Sequence, residues 1–283
     1  MTISNRSEIN AIRDELALRQ TKLFHACQLQ DFRSYIELGG IPSRNKLSNS
    51  NLSFTVFDTD PIDKKHQLWD KVFGNFSDFG NNFSRPPSKS FPNPYGPIQI
   101  ILNPTAFDDV SDLAISLRSA GSKNFDRENE CLKTSSEFKL LYANVEIMGN
   151  ATDKFYAFGN TLNERFKRTD CTSPEFNCTV PDEIVPFKHW AYIVVDNCYY
   201  GNELLINEVS KLTSKKTFLR KYGEGRAELI LELSQLTKTY DCSKATLLGN
   251  PNASENLKTF ISELNEFHYN RFIKYLTIGT TRA

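Results

Sequence analysis

Leu23-Phe24-His25-Ala26-Cys27, then the run Gln28 to Leu38, then Gly39-Gly40-Ile41-Pro42-Ser43-Arg44-Asn45, is the stretch on which the reading of this chain turns. Thr21 to Cys27 has the short apolar pattern of a strand with a polar imidazole near its end. Leu29 to Leu38 places Phe32, Tyr35, Ile36 and Leu38 on one side of a helix, and Gly39-Gly40 predicts its stop. Pro42 and Asn45 predict a loop over Ile41 to Asn45. The unit is strand, helix, glycine turn and a polar Ser-Arg-Asn exit.

Working outward, Ser7 to Arg19 carries a capping Ser, an early Glu and apolar Ile9, Ile12, Leu16 and Leu18, which predicts an amphipathic helix. Leu52 to Phe57 alternates as a strand, and Ile62 to Phe73 predicts a helix with Trp69 and Val72 inward. Ser84 to Gly96 is proline-rich and predicts an ordered loop or lid. Pro97 to Leu102 predicts a core strand, and Asn103 to Glu130 a turn, a short helix and a polar loop. Glu137 to Ile147, Lys154 to Phe158 and Trp190 to Val195 predict further strands. From Glu203 the pattern turns helical, over Glu203 to Ser214, Gly225 to Tyr240 and Ser254 to Leu276. The expectation is a mixed domain over 1–200 and a helical extension over 201–283.

The bulk numbers set limits. At 283 residues the chain can bury its own core. Lys plus Arg and Asp plus Glu balance at 34 each, which excludes an overall basic field, so any nucleic-acid contact must be local. No run approaches the ~20 apolar residues of a membrane span. The first residues lack the apolar core of a signal peptide, which leads to the expectation of a cytoplasmic protein without a membrane partner. Six cysteines without a C-x-x-C pair, and four histidines without ligand-like spacing, predict reduced thiols and no metal. The common phosphate-loop, dinucleotide, zinc-protease and serine-nucleophile signatures are absent.

The stretch from Leu23 to Asn45 resembles the NAD-binding opening of ADP-ribosyltransferases, particularly the DarT-like toxins. Pro97-Ile98-Gln99-Ile100-Ile101-Leu102-Asn103-Pro104 looks like the central strand and following turn of that family. Ser136-Glu137-Phe138-Lys139-Leu140-Leu141 is similar to its Ala/Ser-Glu-hydrophobic motif, in which the Glu opens a strand and reaches the NAD cleft. The resemblance implies an α+β fold, a split, twisted sheet with surrounding helices and a helical C-terminal extension. It implies an enzyme that transfers ADP-ribose from NAD with release of nicotinamide. The implied acceptor is a DNA or RNA base, and the implied setting a toxin–antitoxin or phage-defence system with an antitoxin protein as partner.

On this resemblance Glu137 is the expected catalytic carboxylate, stabilising positive charge on the ribose and taking a proton from the acceptor. Glu130 and Glu146 are its rivals. His25 and Ala26 are expected at the ribose and nicotinamide, Ser43 and Arg44 at the nicotinamide or phosphate side, and Lys64 or Lys65 as weaker phosphate contacts. Phe79, in the run Phe73 to Phe83, is an expected stacking group, with a buried aromatic hairpin as the alternative. Lys123, Asn124, Arg127 and Asn129, in the segment Ser119 to Ser136, are expected at the acceptor. Transfer to protein, hydrolysis of NAD and a non-catalytic scaffold are the competing expectations.

Overall fold

A computed structural model describes residues 2–57, 60–78, 96–120, 122, 124–146, 164–167, 174–197, 199–200, 202–220, 226–241, 243–266, 269–270 and 273. Phe79, Lys123, most of the proline-rich segment 84–96, the strand expected over Lys154 to Phe158 and the cysteines 171, 198 and 242 lie outside the described residues. The fold is α+β. Helices α1 (Arg6–Leu18), α2 (Leu29–Leu38), α3 (Arg44–Ser48), α4 (Asp60–Lys65), α5 (Arg127–Glu130) and α6 (Ser135–Lys139) accompany strands β1 (Leu23–Cys27), β2 (Gly40–Pro42), β3 (Val72–Asn75), β4 (Ile98–Leu102), β5 (Asp112–Ser116), β6 (Glu175–Thr179), β7 (Ile184–Pro186) and β8 (Trp190–Val195). Beyond them come β9 (Tyr199–Tyr200), β10 (Glu203–Leu204), α7 (Leu205–Leu212), β11 (Thr217–Leu219), α8 (Arg226–Leu236), α9 (Lys244–Leu248) and α10 (Glu255–Ser262). Seven strands make one mixed sheet in the order β11-β8-β4-β1-β3-β6-β5. Among the described residues no helix is long and apolar enough to cross a membrane.

Two compact units divide the chain without following its order: residues 1–25, 34–77 and 101–191 form the first, and residues 26–33, 78–100 and 192–283 the second. In the first unit, Asn5 caps α1 by accepting from the Ser7 N–H, and Ile9, Ile12 and Leu16 are buried along one helical face. The core is an aromatic cluster. Phe176 meets Phe76 at 5.3 Å and Phe107 at 5.1 Å between ring centroids, and Phe138 meets Phe76 at 5.4 Å and Tyr142 at 5.8 Å. Strands β3, β6 and β5 pair antiparallel over four and five residues. β1 joins β3 through a single pair, Phe24 with Asn75. The outer edge of β5 is closed by two isolated bridges, Ile3 with Leu113 and Cys131 with Ser116.

In the second unit β11 runs parallel to the end of β8, and β9 pairs antiparallel with β10. The Arg220 guanidinium is buried between Asp196 (2.6 Å) and Asp78 (2.7 Å). Leu205 and Val209 of α7, and Leu257 and Ile261 of α10, are buried.

Several local expectations are corrected. Ile41 to Asn45 is not a loop: Gly40 to Pro42 pairs with β7, and Ser43 caps α3 by accepting from the Lys46 N–H. The partner strand lies more than 140 residues away, where local pattern carries no signal. Gly40 permits the pairing, because a Cβ there would stand 2.3 Å from the Val185 carbonyl. Leu52 to Phe57 is not a strand; there Arg44 donates to the Thr55 carbonyl and Ser34 to the Ser53 carbonyl. The helix expected over Ile62 to Phe73 ends at Lys65, where Gln67 adopts φ 57°, and Val72 begins a strand instead. The C-terminal stretch is not all helix, because Thr217–Leu219 joins the sheet.

Glu137 does not open a strand. It sits in the first turn of α6, where Thr134 accepts from its N–H at 3.2 Å and its carboxylate accepts from the Lys133 N–H at 2.5 Å. Thr134-x-x-Glu137 acts as a capping pair, which satisfies backbone donors at the helix start and outweighs the alternation of the residues that follow.

Candidate functional site

Glu175, and not Glu137, is the first residue of a strand, β6. Pro174-Glu175-Phe176 has the same Glu-hydrophobic order as Ser136-Glu137-Phe138. Glu175 is in register with Asn75 of β3, and Asn75 with Phe24 of β1, the residue before His25. Its carboxylate accepts from the Ala120 N–H at 2.6 Å and from the Ser119 hydroxyl. The start of the segment expected at the acceptor therefore holds this carboxyl group. Burial pushes the Glu175 carboxyl up to about 7, the two donors oppose the rise, and the nearby charge of Asp63 adds to it. Asp63 on α4 is itself raised to about 6, first by burial and then by Asp60, with Arg44 acting against both.

His25 is held at both ring nitrogens. The Phe73 carbonyl lies 2.7 Å from Nδ1 and can only accept, so Nδ1 carries the proton. Burial lowers the imidazole to about 4, with the Arg44 charge acting in the same direction, so the ring is neutral at pH 7 and Nε2 accepts from the Tyr35 hydroxyl at 3.1 Å. β1 keeps one register pair with β3, so these two hydrogen bonds aim the ring rather than the pleat. A ribose hydroxyl can donate to Nε2 only in exchange for Tyr35.

Arg44 is similarly engaged. Its guanidinium pairs with Asp60 at 2.9 Å, donates to the Thr55 carbonyl, and lies over the rings of Phe54, Phe57 and Trp69 at 4.9, 5.3 and 5.7 Å. Ser43 is fully buried and donates to Glu183, which also accepts from Asn45. Lys64 stacks its ammonium on Trp69 at 4.3 Å, and Lys65 is exposed. Arg44→Ala is expected to cost about 3 kcal/mol of stability, because it leaves Asp60 buried without its cation. Denaturant unfolding measures this, and a loss below about 1 kcal/mol would show the pair to be dispensable.

Of the residues expected at the acceptor, Arg127 donates to the His66 carbonyl at 3.1 Å and Asn129 to Asp126 at 2.7 Å. Asn124 takes φ 58°, and its carbonyl accepts from Arg118 at 2.9 Å. Glu130, a rival for the catalytic role, is fully buried against Arg118; Glu146 is exposed. Ala26 lies half-buried in β1. Beside the effect of burial, the charge of Arg44 lowers the pKa values of His25 and Asp63, that of Asp63 raises the Glu175 value, and Glu137 serves its helix cap. Glu175 is not among the residues the sequence singles out. Its signal was a short alternation, Phe176-Asn177-Cys178, bounded by Pro174 and Pro181.

Compared with models of protein families and with curated proteins, the chain gives no match.

Proposed function

We propose that the chain transfers ADP-ribose from NAD, with Glu175 in place of Glu137 as the carboxylate beside the scissile nicotinamide–ribose bond. The observation that carries this reading is a strand-opening carboxyl group, half-buried, fixed by two donors and poised near neutral pH. Such a group stabilises the charge that builds on the ribose, and accepts the proton of an attacking base or hydroxyl. Neutral His25 supplies an acceptor for a ribose hydroxyl, and Arg44 a cation near the same charges. The acceptor proposed is a nucleic-acid base, in a toxin–antitoxin or phage-defence setting, with Arg127, Asn124 and Asn129 on the segment that leads away from Ala120. The test is incubation with labelled NAD and separate pools of DNA, RNA and protein. Label on nucleic acid supports the reading, label on protein moves the acceptor, and nicotinamide release without any macromolecule points to hydrolysis.

One observation favours a second reading, a non-catalytic binding module. Both ring nitrogens of His25 and the Arg44 guanidinium are already engaged within the protein. Absence of nicotinamide release under every condition would select that reading.

A further inference from the structure

Register assigns side chains to the faces of β3, β6 and β5. Asn75, Glu175 and Ser116 are cross-strand neighbours in one row, which Phe24 of β1 extends. Phe73 and Asn177 pair in a row two residues along, on the same face. The opposite face carries Val72, Phe176, Cys178, Leu113 and Ile115, all buried in the core. The first face is therefore unusual: it sets a carboxyl, two carboxamides and a hydroxyl beside two phenylalanines. Ser116 is 1% exposed and its Oγ has no hydrogen-bond partner. Asn177 is 5% exposed, and among the described residues no hydrogen bond reaches its carboxamide or that of Asn75. A buried polar group left unpaired is costly and rare, and the Ser116 hydroxyl, beside two carboxamides whose hydrogen-bonding capacity is unused among the described residues, points to something that pairs with them when bound.

We propose that this face binds a planar ligand through an amide or lactam edge, with Asn177 and Ser116 as its specificity-determining residues. A carboxamide presents a donor beside an acceptor, which matches the acceptor–donor edge of another amide. The Ser116 hydroxyl adds a hydrogen bond that rotates to suit, and Phe24 and Phe73 offer apolar ring faces. Two sources carry such an edge, the carboxamide of nicotinamide and the lactam of a nucleobase. The inference rests on the unpaired groups and stands whether or not transfer occurs.

The test uses matched probes on the full chain, by calorimetry or ligand-observed NMR: nicotinamide against 3-acetylpyridine, and uridine against N3-methyluridine. Each control keeps the ring and removes the amide donor. Preference within the first pair assigns the face to the nicotinamide side, and preference within the second to a nucleobase. Ser116→Ala and Asn177→Thr are each expected to weaken the preferred probe by roughly fivefold, the loss of one hydrogen bond. Ser116→Ala is also expected to melt no lower than wild type, because it removes a buried hydroxyl that has no partner. Equal binding within both pairs, binding of no probe, a preference that survives both variants, or a lower melting temperature for Ser116→Ala would each overturn the proposal.

Discussion

Glu175→Gln is expected to lower ADP-ribosyl transfer by ~10²-fold or more, since it removes a charge needed only in the transition state and keeps the shape of the side chain. Glu137→Gln is expected to stay within a fewfold of wild type, its carboxylate serving a helix start. In the wild type, activity should rise with pH and reach half its maximum near 7, where the Glu175 carboxyl ionises. Stability should run the other way. The folded-state value lies above the ordinary value of 4.5, so between 4.5 and about 7 the folded state binds more protons than the unfolded one. Stability therefore falls as pH rises through that window, and the cost stays constant above it, at roughly 3 kcal/mol. Glu175→Gln escapes this cost, so at pH 8 it should be more stable than the wild type while being far less active. Paired transfer assays and denaturant titrations check this, and a variant that is both less active and less stable at pH 8 would place Glu175 in a structural role.

Phe176→Ala is expected to cost about 3–5 kcal/mol, the range for emptying a fully buried aromatic site. Phe176 is 2% exposed and touches the rings of Phe76 and Phe107, and Gly74 lies directly beneath it, with its absent Cβ 2.4 Å from the ring. The surrounding rings can only partly relax into the void. Urea unfolding should show a lower midpoint at an unchanged slope. A loss under about 1 kcal/mol would mean that the cluster repacks freely. Because Phe176 follows Glu175, the same variant should also blunt transfer by loosening the start of β6.

Much of the fold was legible where a periodic pattern coincided with a local stop signal. α1, α2, β1 and β4 follow their apolar spacing, and Gly39 at φ 80° ends α2 as its residue type demands. The reading failed where a distant partner or a short-range cap decided the outcome. β2 exists because β7 reaches it, and the run after Ser135 is helical because Thr134 and Glu137 cap it. β6, with β3 on one side and β5 on the other, and β5 at the sheet's end, at five residues each, owe their place to antiparallel pairings that no local window reveals. The candidate site was half legible. His25 lies in the strand its pattern predicts, Arg44 opens a helix where a loop is expected, and of two similar triplets only the one at Glu175 begins a strand. Both triplets have Glu followed by Phe; Thr134, three residues before Glu137 at capping-box spacing, separates them.

The bridge between Ile3 and Leu113 gives the opening residues a task unrelated to catalysis. Without it, the Leu113 end of β5 would present bare peptide groups at the rim of a sheet, the kind of surface on which a second chain can add itself. Deleting residues 1–4 is expected to leave the aromatic core in place and to raise the chain's tendency to self-associate in concentrated solution.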